Sequence, residues 1–520
     1  MFSFDEFTKV PCIGMYKEKE REIPIIEKVD LLIVGGSPSG FTAAIAAARH
    51  GVRVLIVERF GFLGGQSVYS MVVQWEKRAF IDNLGGVFTK GLPKEILDAV
   101  VAKGDSDGLW NEPPGCPEMR DGEEWLNPEA IKTTFYEMCE KEGVRILLHT
   151  MAVDAIVELK NDGIPRLSGV IFENKSGRFA IKAKLIIDAT ADLDIIWKAI
   201  GAEGCAVRDP KERLGQGFYV WYGNVDSEKY IEWYLKQEDT MGGYPNPRKY
   251  PEKVRKHLKE QKLILVRGTA LKQFVKQAEN EGIFQKIETM LEELEIAVPV
   301  TLEMKWVGRD RWCLYLLGIP NLNMLDIWQL TKFEIFRQKL AYYLLPVVRK
   351  IPGWENCYIS REAMHMGSRE TRVLKAVKII DQNLIWDPEN ATKPTPINTI
   401  GRSGGHDPGK NFVRAGYPIP YEMFIPEKLD GVLICARAAG TKFDRALDAH
   451  RGITPNMVIG QGIGTSAALC IKTQAEPRNL NIHLLHETLR KDGVQLDHES
   501  MDFPFEIDKS RIRVKPRKSE

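Results

Sequence analysis

Six residues, Gly35-Gly36-Ser37-Pro38-Ser39-Gly40, stand between a run of apolar residues and a stretch of small ones. Glycine at such a place lets a strand turn sharply into a helix. It also lets backbone approach a pyrophosphate, which then rests on the helix N-terminus. Glu58 follows Gly40 by 18 positions, at the end of a second apolar run, VRVLIVE. A carboxylate there can accept both hydroxyl protons of an adenosine ribose. The set describes a dinucleotide site, although Ser37 stands where GxGxxG has its middle glycine. GRSGGHDPG at 401–409 is also glycine-rich but follows no buried strand, so it reads as a loop. One fingerprint means one dinucleotide.

These residues need a frame to hold them. From Val29, VDLLIVGG reads as a strand buried on both faces. GFTAAIAAARH (40–50) is a helix closed by Gly51, and VRVLIVE is the next strand, completing a βαβ unit. Residues 60–130 read as loop-rich, 129–142 as a helix and VRILLHT (144–150) as a strand. MAVDAIVELK, LSGVIFEN and RFAIKA, joined by Gly turns, form an antiparallel ribbon that leads into the buried strand KLIIDATAD (184–192). Residues 205–350 open on the strand-like FYVWYGNV and continue as a mainly helical block. There Leu271, Phe274, Val275 and Ala278, then Ile287, Met290, Leu291 and Leu294, fall at helical spacing. The strand pattern returns in DGVLICAR (430–437), and a helix of small residues begins near GQGIGTSAALCI (460–471).

The expected fold class is α/β. A Rossmann-like lobe, with a parallel sheet plus an antiparallel β-meander, is interrupted by a mainly helical substrate or cap lobe. The expected boundaries are an arm at 1–28, the first lobe at 29–204 and 351–475, the cap at 205–350 and a tail at 476–520.

Composition narrows the classes. Lys plus Arg is 72 against 71 Asp plus Glu, a net charge of +1, so nothing global pulls the chain toward nucleic acid or an anionic membrane. The basic stretch from Lys509 to Lys518 reads as a solvated tail. With 44% apolar and 28% charged residues, wholesale disorder is excluded. Eight cysteines without a CxxC or CxxxxC pair argue against iron–sulfur ligation, structural zinc and a redox disulfide. MFSFDEFTKV lacks the pattern of a signal peptide, and no run of about 18 apolar residues could span a membrane. The chain therefore reads as cytoplasmic.

At this point the sequence resembles a family. VDLLIVGGSPSGFTAAIAAARHGVRVLIVERFGFLGGQS looks like the opening of the FAD-dependent oxidoreductases. These have the glutathione-reductase-type FAD fold and are distant relatives of the fumarate reductase flavoproteins. LIIDATADLD (185–194) is similar to the family's DATGDGD strand end, with Ala191 and Leu193 in place of glycines. GSRETR (367–372) resembles its GxRE(T/S)R motif, and YPIPYEMFIPEKLDGVLICARAAG…GQGIG its C-terminal segment.

The resemblance implies FAD as cofactor. It places Gly35, Gly36, Ser37, Pro38, Ser39 and Gly40 at the pyrophosphate, Glu58 at the adenosine ribose and Arg59 near the adenine. Gly64, Gly65, Gln66 and Ser67 would approach the ribityl chain and flavin, and Val153 would offer backbone to the adenine. Ala189, Asp192 and Arg437 complete the set, with Ala436 replacing the usual glycine before the arginine. Helix physics adds Gly460, Gly462 and Ile463: free N–H groups at a helix start there would stabilise negative charge on a reduced flavin. The GFLGGQS turn offers neither His nor Cys, so the FAD is expected to be non-covalent.

For the substrate, the candidates are His365, Arg369, Arg372, His406, Tyr417, His450 and Arg451. The related family carries a His and an Arg before its flavin-facing helix, and DAHRGITP supplies His450 and Arg451. His450 would transfer a proton, while Arg451 and Arg369 would clamp a carboxylate or polarise a carbonyl. Arg369, Glu370 and Arg372 have a competing role as ion pairs across the lobe junction.

The expected activity is hydride transfer between flavin N5 and a small polar organic substrate, by C–OH or C–N dehydrogenation or C=C reduction. A monooxygenase using NAD(P)H and oxygen is the nearest alternative. A flavin-binding RNA-modifying protein or a sensor would be the reading from another class. No nucleic-acid partner and no membrane span are expected, and a homo-oligomer stays open.

Overall fold

The computed structural model describes residues 10, 12–76, 89–104, 106, 123–160, 163–209, 215–236, 251–259, 264–267, 289, 301–306, 308–319, 322–381, 399–403, 417–442 and 450–496. The spacing at 271–278 and, Thr289 apart, at 287–294 falls outside them, as do His406 and the stretch 509–518.

β1 (Ile25–Val34), helix α1 (Pro38–Arg49) and β2 (Val54–Val57) form the expected βαβ unit. Alternate residues of β1 enter two different cores, Leu31 and Ile33 on one face and Leu32 and Val34 on the other. That is why its sequence is apolar without a break. Helix α2 (Pro128–Lys141) returns the chain to β3 (Arg145–Leu147), and β4 (Met151–Glu158), β5 (Arg166–Asn174) and β6 (Gly177–Asp188) follow. The third ribbon strand and the buried strand after it are one element, β6. β6 runs parallel to β1, with Val34 opposite Asp188, and antiparallel to β5, with Glu173 opposite Arg178. The sheet order is β3-β2-β1-β6-β5-β4.

The chain then leaves this lobe for β7 (Gln216–Gly223), β8 (Ile264–Arg267), β9 (Thr301–Trp306), β10 (Trp312–Ile319), helix α3 (Ile327–Val348) and β11 (Tyr358–Glu362). These strands make an antiparallel sheet in the order β8-β9-β10-β7-β11. The described residues of this block hold helices at Ser227–Tyr234, Pro251–Lys259 and Ile327–Val348, and the structure adds what the expectation lacked, a five-stranded antiparallel sheet on which α3 lies. TLEMKW alternates apolar and other residues at period two, which is a strand signal, and its turn at Gly308-Arg309 lacks the Asn-Gly or Asp-Gly that announces a hairpin. Phe218, Val220 and Tyr222 face α3 through Phe333, Phe336 and Leu340. Tyr219 and Trp221 face the first lobe, where Met71, Val73 and Trp125 meet them.

The chain returns through β12 (Val432–Ile434), which takes over from β5 as the partner of β6, with Val432 opposite Ile186. It ends its core with helix α4 (Ile453–Thr473), packed along α1. Among the described residues, no helix is long and apolar enough to cross a membrane.

Candidate functional site

The glycine turn is fixed on three sides. Gly35 has φ +109°, and a Cβ on it would collide with the Ala189 carbonyl at the end of β6. A Cβ on Gly40 would collide with the Gly35 carbonyl. Ser37 needs no glycine, because its backbone is extended and it serves as N-cap of α1, its Oγ accepting from the Gly40 N–H at 3.2 Å. Ser37 Oγ also donates to the Ala189 carbonyl at 3.2 Å, and Ser39 Oγ donates to the Cys435 carbonyl at 2.6 Å. The degenerate fingerprint is thus a capped one, fastened to the ends of β6 and β12.

Glu58 closes this end. Its carboxylate accepts from the Gly36 N–H at 2.7 Å and the Phe60 N–H at 2.9 Å. Burial pushes its pKa above the ordinary carboxylate range, against those N–H groups and Arg59. A second turn lies on the first: the Gly64 N–H donates to the Gly36 carbonyl at 2.8 Å, and Gly65 packs against Ser37 and Pro38. Gln66 donates to the Ser368 carbonyl at 2.7 Å, and Ser67 Oγ accepts from the Trp75 indole. Val153 lies where the β4–β5 register shifts, so the pairing skips it. Arg59 stacks on Phe60 at 4.9 Å.

The other end is built from side chains. Arg437 donates to Asp192 Oδ1 at 2.6 Å, to Ser368 Oγ at 3.2 Å and to the Arg369 carbonyl at 2.9 Å. Asp192 also accepts from Thr371 Oγ1 at 2.7 Å, and Arg372 reaches the Asp192 carbonyl and Asp194. Burial alone would raise the Asp192 pKa. Arg437, the Thr371 hydroxyl, Arg59 and Arg372 outweigh it and hold the pKa below its usual value. Ala191 and Leu193, with φ +73° and +58°, occupy the left-handed region that favours glycine.

Between the lobes lies a cleft. Gln66 and Arg437 line it from the first lobe, Arg451 and Ile453 from the start of α4, Tyr219 and Tyr315 from the cap sheet, and Arg369 from the strap joining them. The two tyrosine rings stack at 3.9 Å, and Arg369 donates to the Tyr315 hydroxyl at 3.1 Å. Among the described residues, Arg369, Arg437 and Arg451 line this space with no carboxylate beside them, Arg437 being paired with Asp192 behind it, so the lining favours an anion.

The structure thus brings Arg369, Arg437, Arg451 and Gln66 together. His450 is fully buried and does not line the cleft, although its carbonyl accepts from Asn456 beneath the start of α4. His365 meets the Met366 carbonyl and the edge of Tyr69 instead. Arg372 is an ion-pair strut, and Glu370 pairs with Arg208 at 3.5 Å. Tyr417 begins a short strand, Tyr417–Pro420.

The expected helix start at Gly460 is corrected: α4 begins at Ile453, so Gly460, Gly462 and Ile463 are in mid-helix. A Cβ on Gly460 would lie 2.5 Å from the Ser39 carbonyl oxygen, and one on Gly464 would collide with Ala43 backbone. These glycines let α4 cross α1 closely, and Ile463 is core. The free helix end is at Gly452-Ile453, beside the cleft. Sequence reasoning missed Tyr219 and Tyr315, which only the alternation along an unrecognised sheet could have shown.

A family model described as FAD dependent oxidoreductase matches residues 30–489. No curated protein matches the sequence. Among solved structures, a geranylgeranyl bacteriochlorophyll reductase-like protein from Thermoplasma acidophilum is similar at 14% identity, covering 91% of this chain and 85% of that one, with a TM-score of 0.43. The p-nitrophenol 4-monooxygenase of Pseudomonas putida is similar at 11% identity, covering 86% and 82%, with a TM-score of 0.40. The myxobacterial chondrochloren halogenase is similar at 13% identity, covering 90% and 79%, with a TM-score of 0.40. Likeness this distant carries no argument about activity.

Proposed function

The chain belongs to the FAD-dependent oxidoreductase family, and from that premise we propose that it transfers a hydride between the flavin and a small polar organic substrate bearing an anionic group. The residues are compatible with the cofactor: Gly35 and Gly40 let the turn fold tightly against Ala189 at the start of α1, and two N–H groups aim the Glu58 carboxylate. Gly35–Gly40 would hold the pyrophosphate and Glu58 the ribose. Val153, Ala189 and the turn Gly64–Ser67 would line the rest. When bound, FAD supplies hydride acceptance or donation at flavin N5.

The observation that carries the substrate reading is the cleft of three arginines at the lobe junction. Arg369 and Arg451 would bind the substrate's carboxylate or polarise its carbonyl, the first held in place by Tyr315. Arg437 and Asp192 would keep the strap Ser368–Thr371 in position. His450 would move a proton only by turning out of its buried place, so its role is secondary to that of the arginines.

Purified protein should be yellow and should release FAD on denaturation. Anaerobic mixing with a panel of hydroxy, amino and unsaturated carboxylates should bleach the flavin with at least one of them. Bleaching by neutral analogues alone would remove the anionic substrate. Coupled consumption of NAD(P)H and oxygen would favour the monooxygenase instead.

A further inference from the structure

Helix α3 buries one face and leaves the other in solvent. Phe333, Phe336, Leu340 and Leu344 enter the cap core. On the outer face Trp328, Ile335 and Tyr342 recur at seven-residue spacing, and they are 65%, 50% and 67% exposed. Seven residues are almost two turns, so the three form one row about 20 Å long. Lys332 and Lys339 flank the row at the same spacing, and Arg349 and Lys350 continue it; all four are exposed. From Ile327 to Lys350 the only acidic residue is Glu334. It turns inward, accepting from the Met366 N–H at 2.9 Å and pairing with Arg337. Among the described residues, no ion pair engages Lys332 or Lys339. Tyr358, also exposed, lies on the edge strand β11.

We propose that this face docks on an anionic phospholipid surface. Tryptophan and tyrosine suit the boundary between headgroups and acyl chains, because each has an apolar body and a polar tip. Lysine stems lie along apolar surface while their ammonium groups reach outward to phosphate. Charge selects among the occupants. A second copy would gather eight exposed cations with no exposed acid from either α3, so self-pairing is repelled. A protein partner would have to bury lysines, which protein interfaces deplete. Anionic headgroups neutralise Lys332 and Lys339 and adapt to their positions. Because the inner face of α3 belongs to the cap core, the helix lies along the surface and does not enter it. The near-neutral total charge conceals this row, since the compensating acids lie elsewhere.

The docking is independent of the substrate reading above. Its test is cosedimentation of the flavin-loaded full chain with vesicles of phosphatidylcholine mixed with phosphatidylglycerol, and with vesicles of phosphatidylcholine alone. The expected result is binding to the mixed vesicles only, weakened by salt. Lys332→Glu with Lys339→Glu should weaken binding at least tenfold, from about fivefold per lysine. Trp328→Ala should weaken it less. Retained flavin in each variant shows that the fold is intact. No binding at low salt, equal binding to both vesicle types, or binding unchanged in the double variant overturns the proposal. Concentration-dependent dimerisation abolished by Ile335→Glu would assign the face to a second copy instead, and capture by an acidic protein without vesicle binding would assign it to a protein partner.

Discussion

The two ends of the site are made of different materials. At the glycine turn the contacts are backbone: bare glycines, a helix start, and a carboxylate held by two N–H groups. At the lobe junction they are side chains, the long Arg369 and Arg437 and the short Asp192, drawn from segments far apart in sequence. A backbone cradle tolerates almost no added volume but makes little use of charge. A side-chain cleft has the opposite sensitivities, and substitutions can separate the two.

Gly40→Ala should have the largest effect. Its new Cβ meets backbone that cannot step aside, so a loss of about 3 kcal/mol is expected, with flavin-depleted protein on purification. Full flavin content with an unchanged Tm would break the distinction. Arg437→Gln comes next, at about 2 kcal/mol in urea unfolding. That lies below the roughly 3–5 of a fully buried pair, because a quarter of the Asp192 side chain is exposed. The pH dependence has a definite sign. Asp192 has a lowered folded pKa, so its contribution is complete above the ordinary value near ~3.9 and is lost as pH falls through the lowered one. The gap between wild type and Arg437→Gln should therefore close only in acid, and a gap that closed on raising the pH would contradict the ion pair.

Arg369→Gln should leave Tm nearly unchanged while kcat/KM falls roughly 10- to 100-fold, the worth of one charge-assisted hydrogen bond. A substitution that instead unfolds the protein would make Arg369 a strut like Arg372. The smallest effect belongs to Ala191→Gly, which removes a left-handed strain and should raise stability by about 0.5–1 kcal/mol. A drop in Tm would show that the Ala191 methyl packs better than its backbone suffers.

The same division explains what the sequence revealed. β1, α1, β2 and the Glu58 position were readable because neighbours in sequence are neighbours in space there, and both periodicity and glycine report on them. Ala191 and Leu193 were legible as replaced glycines, and their φ values agree. The cap sheet was not, because its strands pair across long separations and its turn is unmarked. Nor could sequence place α4: glycines at 460 and 462 look like a helix start, yet the helix begins at Ile453, and Gly460 with Gly464 serves a helix crossing that only the α1 partner defines. Arg437 with Asp192, 245 residues apart, has no local signature at all.

The change of partner along β6 also sets an order of assembly. During synthesis, β1 to β6 are complete once Asp188 has emerged, yet Ile186–Asp188 keep an open edge until Val432–Ile434 arrive. The whole cap is made in between. Contacts of such long range form late, and an unpaired apolar strand edge invites association with other chains meanwhile. The glycine turn is fastened to the Cys435 carbonyl only at the close of that interval. If the proposed assignment of the glycine turn holds, a half-made chain on the ribosome has no finished grip for a flavin, and the cofactor would enter a protein that is already nearly whole.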